Sequence, residues 1–355
     1  MLLPYLDYLP KLSGMPDLAP TAAIVGRVTA GPDLVLRGCA TLRADGEAIR
    51  IGRNAFFAER STVHIVDSLL PAIIGDDATV GRYALVHACT LGDGVVVGDA
   101  AVVMDGAEVG ARCLIAPGSL VAPRKKLPEG GLYAGSPAVR VRDVGADELA
   151  VAAQAIRHDG ESPLTRSYEL PALDNLAYAP LGATTGNAGA QSRHATRRAN
   201  AFVAPTALVA GDVALDDDAG VYFACAVVAG GAQIVVGAGS NVQDNAILVT
   251  SAARGDLVIG RGVTIGHNVR IGSGTIGDDA LIGMGAELGE GVIVEAGGCV
   301  GGRAWVEPGT VVRSGWIWAG RPARAFRAIK PEERQGFARA AEVYVRYTRA
   351  YRAGD

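Results

Sequence analysis

Aromatic residues are scarce in this chain, with 6 Phe, 10 Tyr and 3 Trp among 355 residues. Set beside 48 Gly, that scarcity fits many short strands joined by tight turns. Cysteine is also sparse. Cys39, Cys89, Cys113, Cys225 and Cys299 are scattered, odd in number and never spaced C-x-x-C, so a reduced thiol set is expected and zinc binding by cysteine has little support. No excess of positive charge exists: 33 Lys and Arg face 37 Asp and Glu, and no basic stripe suggests a nucleic-acid partner. Apolar runs never reach membrane-spanning length, and Met1-Leu2-Leu3-Pro4-Tyr5 lacks a basic leader, so a cytoplasmic protein with no membrane partner is expected.

What the chain does have is a rhythm, present twice. Apolar residues recur at Ile74, Val80, Val86, Leu91, Val97, Val103, Val109 and Ile115, each step six residues except one of five. Ile259, Ile265, Ile271, Ile276, Ile282, Leu288, Val294 and Val300 repeat the series with the short step in the same place, so a constant offset of 185 aligns the halves without a gap. This period is neither helical nor that of alternating strands. It predicts a mainly β fold of two tandem parallel β-helices, in which each flat face is one short strand and the apolar residue points inward. Gly, Asp and Asn beside it permit tight corners. Such repeats are mainly scaffold, because each coil buries its apolar face only against its neighbours.

The repeats run over about 20–141 and 201–327, and each closes on a related exit, YAGSPAVRVR and WAGRPARAFR. After the second exit a helix is expected. Pro331 stands near its start, Glu332 and Glu333 suit its first turn, and Phe337, Ala341, Tyr344 and Tyr351 form one packing stripe. After the first exit only 147–156 reads as helical. The expected organisation is a first domain over 1–158, a flexible linker over 159–199 rich in Ser, Pro, Gly, Ala and Thr, and a second domain over 200–355. His158 and His194, in or beside the linker, are given no role.

The order ATLRADGEAIRIG, STVHIV, VGRYALVHAC and Gly-Ser-Pro-Ala in the first half resembles the γ-class carbonic anhydrases. So does the order SNVQDNAILV, VTIGHNVRIG, LIGMGAELGEGV, Gly-Arg-Pro-Ala and final helix in the second. The resemblance implies left-handed β-helices, trimers, and a catalytic zinc held between neighbouring subunits by three histidines. Two ligands come from one subunit and the middle one from its neighbour. Carried over by position, the first half has His64, Arg82 and His87, and the second has Val249, His267 and Gly272. The first half thus keeps the two ligands of one flank and the second half the single ligand of the other. The family's Arg-Gly-Asp survives as Arg43-Ala44-Asp45 but becomes Val228-Ala229-Gly230, while its Asn-x-Gln-Asp survives as Asn241-Val242-Gln243-Asp244 but becomes Phe56-Phe57-Ala58-Glu59. An Arg43–Asp244 contact across the domain junction is implied, although Glu59 of another first domain offers Arg43 an alternative. Gln243 takes the place of a polar residue that hydrogen-bonds solvent or substrate.

Three neutral imidazoles would leave zinc acidic enough to ionise water near pH ~7 and so to hydrate carbon dioxide. Arg82 argues against a simple enzyme, because a guanidinium has no lone pair to donate and would repel zinc. If copies of the first domain stack on one another, Arg82 faces His64 and His87 and the pocket is cationic. If the two domains of one chain stand side by side, His267 joins them instead. Three readings follow: a zinc-dependent lyase or hydrolase acting on a small molecule at one composite site, an inactive assembly module of the same family, or an acyl-CoA-dependent acyltransferase on the same scaffold. All three suit a homo-oligomer, either a trimer or a pseudo-trimer of domains.

Overall fold

A computed structural model describes residues 1–158 and 196–353. The expected linker therefore falls, over 159–195, outside the described residues, as do His194 and the stretch expected to be mobile around 182–189.

Each half is a three-sided coil. In the first domain one face stacks Thr62–His64, Leu85–His87, Val102–Val103 and Leu120–Val121, all parallel. The second face stacks Ala72–Ile74, Thr90–Leu91, Glu108–Val109 and Lys126–Leu127. The third runs through Val35–Leu36, Phe56–Phe57, Thr79–Val80, Val96–Val97 and Leu114–Ile115 to Gly131–Gly135. Thr41–Ile51 is long enough to turn a corner and belong to both the first and second faces. The second domain repeats the plan, with Ala226–Val236 turning the corresponding corner.

Spacing in sequence explains the core. The residues of both hexapeptide series are at most 5 % exposed and form two separate apolar columns, one per domain. Each exit is an antiparallel hairpin, Gly131–Gly135 with Ala138–Asp143 and Trp316–Gly320 with Ala323–Ala328. The coil begins earlier than the sequence suggested. Leu2–Leu3 and Lys11–Leu12 pair with Ala23–Ala30, and Asp17–Leu18 pairs with Val35–Leu36, because this segment supplies isolated apolar residues rather than the six-residue rhythm.

Helix α1 (Ala146–Arg157) lies on the third face of the first domain, burying Leu149, Ala152 and Ile156 against Phe56, Ala58, Val96 and Leu114. Helix α2 (Pro331–Ala353) crosses the third face of the second domain and buries Ala341, Tyr344, Tyr347 and Thr348. It also reaches the first domain, where Tyr347 Oη donates to Asp67 at 3.0 Å and Tyr351 Oη to Asp45 at 3.1 Å. Among the described residues no helix is long and apolar enough to cross a membrane.

The two coils stand side by side at the same height. Asn268 Nδ2 donates to the carbonyl of Tyr83 at 2.7 Å, and Arg303 Nε to that of Gly118 at 3.3 Å, each pair separated by 185 residues. Equivalent corners therefore meet. Several of these corner residues, Tyr83 and Asn268 among them, hold a left-handed φ of 55° and 57°. Asn tolerates that region because its short side chain hydrogen-bonds locally.

Candidate metal centre

Register places the first flank. Arg43, His64 and His87 are neighbours in three successive coils of the first face, so their side chains rise in one column. The opposite flank comes from the second domain. There Asn241–Val242 leads into Gln243 and Asp244, and one coil on, Thr264–Ile265 leads into Gly266 and His267. Gly266 is needed for close approach, since a Cβ there would lie 2.8 Å from the backbone nitrogen of Met284.

The three histidines converge. His64 Nδ1 lies 3.1 Å from His87 Nε2 and 3.2 Å from His267 Nε2, and all three rings are buried. Each outer nitrogen faces a carboxylate. His64 Nε2 is 3.0 Å from Asp45, His87 Nδ1 is 2.6 Å from Asp105, and His267 Nδ1 is 3.2 Å from Asp244, the last too oblique for a good hydrogen bond. Asp45 and Asp105 hold the N–H on the outer nitrogens of His64 and His87 and so turn their lone pairs inward. Burial pushes the His267 imidazole down to about 4 in spite of Asp244. Burial, then Arg43 and the other two imidazoles, lower that of His64 well below its usual range.

Arg43 locks the junction. Its side chain is fully buried, and Nε donates to Asp244 at 2.8 Å, Nη2 to Tyr344 Oη at 3.0 Å and Nη1 to Asp45. The guanidinium also lies over the Tyr222 ring, 4.8 Å from its centroid. Burial alone would raise the Asp244 carboxyl, but Arg43 and then His267 hold it below the usual carboxylate range. A buried charge network of this kind is tolerable only because every member has partners.

Of the remaining positions, Gln243 is buried in the wall beside the histidines and donates Nε2 to Asn241 Oδ1 at 3.1 Å. Arg82 does not line the cavity beside the histidines, and its Nε donates to Asp99 at 3.3 Å. Sequence reading missed Asp105 and the role of Tyr344, whose hydroxyl is 3.4 Å from His267 Nε2. Asp105 stands 18 residues beyond His87, one residue past the 17-residue register step of this face, so the repeat alone does not single it out. A cavity of about 450 Å³ opens from the histidines.

The donor set fits a tetrahedral zinc. Two nitrogens each ~2.0–2.1 Å from such an ion are about 3.3 Å apart, against 3.1 and 3.2 Å here. The three ligand atoms all lie within 4.8 Å of one another.

Comparison with known proteins places the chain among hexapeptide-repeat proteins. The family described as Bacterial transferase hexapeptide (six repeats) matches residues 88–123. The chain is 34% identical over 147 residues to gamma carbonic anhydrase 2, mitochondrial, of Arabidopsis thaliana, an alignment covering 40% of this chain and 52% of that protein. It thus spans about half the length of that relative. It is 33% identical over 153 residues to a Methanocaldococcus jannaschii protein named "Probable carbonic anhydrase", covering 43% of this chain and 96% of that one. A solved structure from Desulfovibrio desulfuricans G20, described as a candidate acetyltransferase, follows 96% of this chain and 79% of its own with a TM-score of 0.57 at 15% identity, a likeness of fold alone.

Proposed function

Because the chain belongs to the γ-carbonic-anhydrase group of hexapeptide-repeat proteins, we propose that His64, His87 and His267 hold one zinc ion between its two domains. At this centre the chain hydrates carbon dioxide or hydrolyses a small carbonyl compound. The supporting observation is the convergence of three imidazole nitrogens, each backed by a carboxylate on its other side. A zinc ion there would supply Lewis acidity and bring the pKa of water at its open position to about 7. The protein's own residues do the rest. Asp45, Asp105 and Asp244 fix ring orientation and tautomer, Arg43 with Asp244 holds the two flanks together, and Gln243 offers an amide at the wall for solvent or substrate. Tyr344 stays protonated, because burial raises its hydroxyl far above the normal range, and so serves as a neutral hydrogen-bonding group.

The same reading extends to assembly. A homo-oligomer is expected, in which domains of further copies pack beside the flank of the first domain that carries Arg82 and the flank of the second that carries Val249 and Gly272. The test of the centre is zinc content measured by atomic spectrometry on the purified full chain and on His267→Ala. Near-stoichiometric zinc in the parent, with at least a hundredfold weaker retention in the variant, is expected. Equal zinc in both would exclude this ligand set, and zinc-loaded parent protein without hydration or hydrolysis would favour a catalytically silent assembly module.

A further inference from the structure

The chamber beside the histidines is longer and drier than a three-atom substrate needs. Its wall is a ladder: Thr264, Leu281, Cys299 and Ile317 are register partners in four successive coils of the second domain's third face. Three inter-strand steps give it a length of about 14 Å. The histidines and Gln243 stand at the Thr264 end. Met104 of the first domain and Met284 of the second line the side, and Phe337, Ala340 and Val343 of α2 form the roof. A volume of about 450 Å³ falls within the range of roughly 300–1,000 Å³ typical of sites for small organic molecules.

The matching face of the first domain shows that this space is not a property of the repeat. Ala58, Val96 and Leu114 stand where the second domain has Gln243, Leu281 and Cys299. There Leu149, Ala152 and Ile156 of α1 pack directly onto the face. Helix α2 is instead fastened mainly near its C-terminal end, through Tyr344, Tyr347 and Thr348, while Phe337 and Ala340 remain only partly buried above the ladder. Among the described residues the lining includes Asp67 and Asp105 but no Lys or Arg, so a substrate carrying phosphates close to its reacting carbonyl meets no compensating charge there.

Resting on the zinc reading above, we propose that the chamber receives the apolar acyl chain of an uncharged ester whose carbonyl lies at the histidine end, and that the protein hydrolyses it. One water adds across the acyl C–O bond. Its oxygen bonds to the acyl carbon, the bond to the alkoxy oxygen breaks, and the alcohol leaves with one proton. The other proton is released as the acid ionises to a carboxylate. Methionines suit such a slot because their unbranched side chains adapt to a flexible ligand.

The experiment uses the full chain with its zinc content measured, the p-nitrophenyl esters of acetate, butyrate and octanoate, and calorimetric titration with 1-butanol and 1-octanol. Each buried methylene contributes about 0.8 kcal/mol, so kcat/KM and alcohol affinity are expected to rise roughly fourfold per methylene until the ladder is covered. Met284→Trp, or the milder roof change Ala340→Leu, is expected to lower the octanoate-to-acetate ratio at least tenfold with zinc content unchanged. His267→Ala should lose zinc and ester hydrolysis yet still bind 1-octanol. A flat chain-length profile without octanol binding, in protein that holds zinc and hydrates carbon dioxide, overturns the chamber proposal and leaves the zinc reading intact. Absence of zinc from the parent overturns both, whether or not octanol binds.

Discussion

The two domains share one backbone plan but differ wherever a side chain faces the junction. On the first-face column, Arg43, His64 and His87 stand where the second domain has Val228, Val249 and Gly272. On the opposing flank the inequality reverses: Gln243, Asp244, His267 and Met284 stand where the first domain has Ala58, Glu59, Arg82 and Asp99. Chemistry-bearing groups are present only on the flanks that meet. The other flanks carry Val228, Val249 and Gly272 in the second domain and, in the first, Glu59 and the Arg82–Asp99 ion pair at 3.3 Å. The contact therefore joins unlike flanks of two domains built on the same plan. Cationic Arg82 at a ligand position therefore costs the composite centre nothing.

The largest expected consequence concerns Arg43 against Arg82. Arg43→Met leaves Asp45 and Asp244 buried without their guanidinium, a loss of about 3–5 kcal/mol for a broken buried pair. Arg82→Ala removes the guanidinium from the buried Asp99 but leaves it the Arg82 backbone N–H, so a smaller loss than at Arg43 is expected. Denaturant unfolding of the two variants measures both. Equal losses would show that the junction is no more demanding than the open flank.

A smaller effect is expected from pH. In metal-free protein the imidazoles of His64 and His267 are lowered by burial, the second to about 4. The unfolded chain therefore binds protons near pH ~6.5 that the folded chain refuses. Stability is complete above that pH and is lost as pH falls toward the folded value, by at most about 1.4 kcal/mol per unit for each histidine. Unfolding followed from pH 7 to 5 should show this slope. His267→Gln should flatten it by one histidine's share. A slope insensitive to His267 would mean that the centre is already hydrated and loose.

How much of this was legible in the sequence depended on whether a signal repeats. The six-residue series, the 185-residue offset and the final helix are periodic, and the coil, its duplication and α2 followed from them. The histidine positions were legible only because the offset allowed each to be compared with its counterpart and the motifs carried a resemblance. Tyr344 was read as one residue of a packing stripe. Its hydroxyl in fact meets Arg43, 301 residues away, a partnership set by which flank the helix crosses and not by any local pattern. Residues 1–18 join the coil through three two-residue strands, too short for a period to register. The chamber, likewise, depends on how far α2 stands from its ladder, a distance that hydrophobic spacing does not encode.

The finest test of the comparison lies one coil beyond the ligands. Asp105 turns toward His87, with its oxygen 2.6 Å from Nδ1, and contact with that ring holds the carboxyl below its usual range although burial opposes this. Its counterpart, Glu290, leans over Gly272 and pairs with Arg254 at 2.9 Å, half exposed. The same backbone position therefore faces a buried histidine of the candidate centre in one domain and a solvent-screened ion pair in the other. Asp105→Asn keeps the shape but removes the charge that raises the basicity of His87, and outer-shell losses of this kind weaken metal affinity by about 10–100-fold. Glu290→Gln should leave zinc affinity unchanged and alter stability by about 1 kcal/mol or less. Competition of each variant against a zinc chelator gives both numbers. Equal zinc affinities would mean that ring orientation at His87 is set by packing alone, and the carboxylate would then be no more than a neighbour.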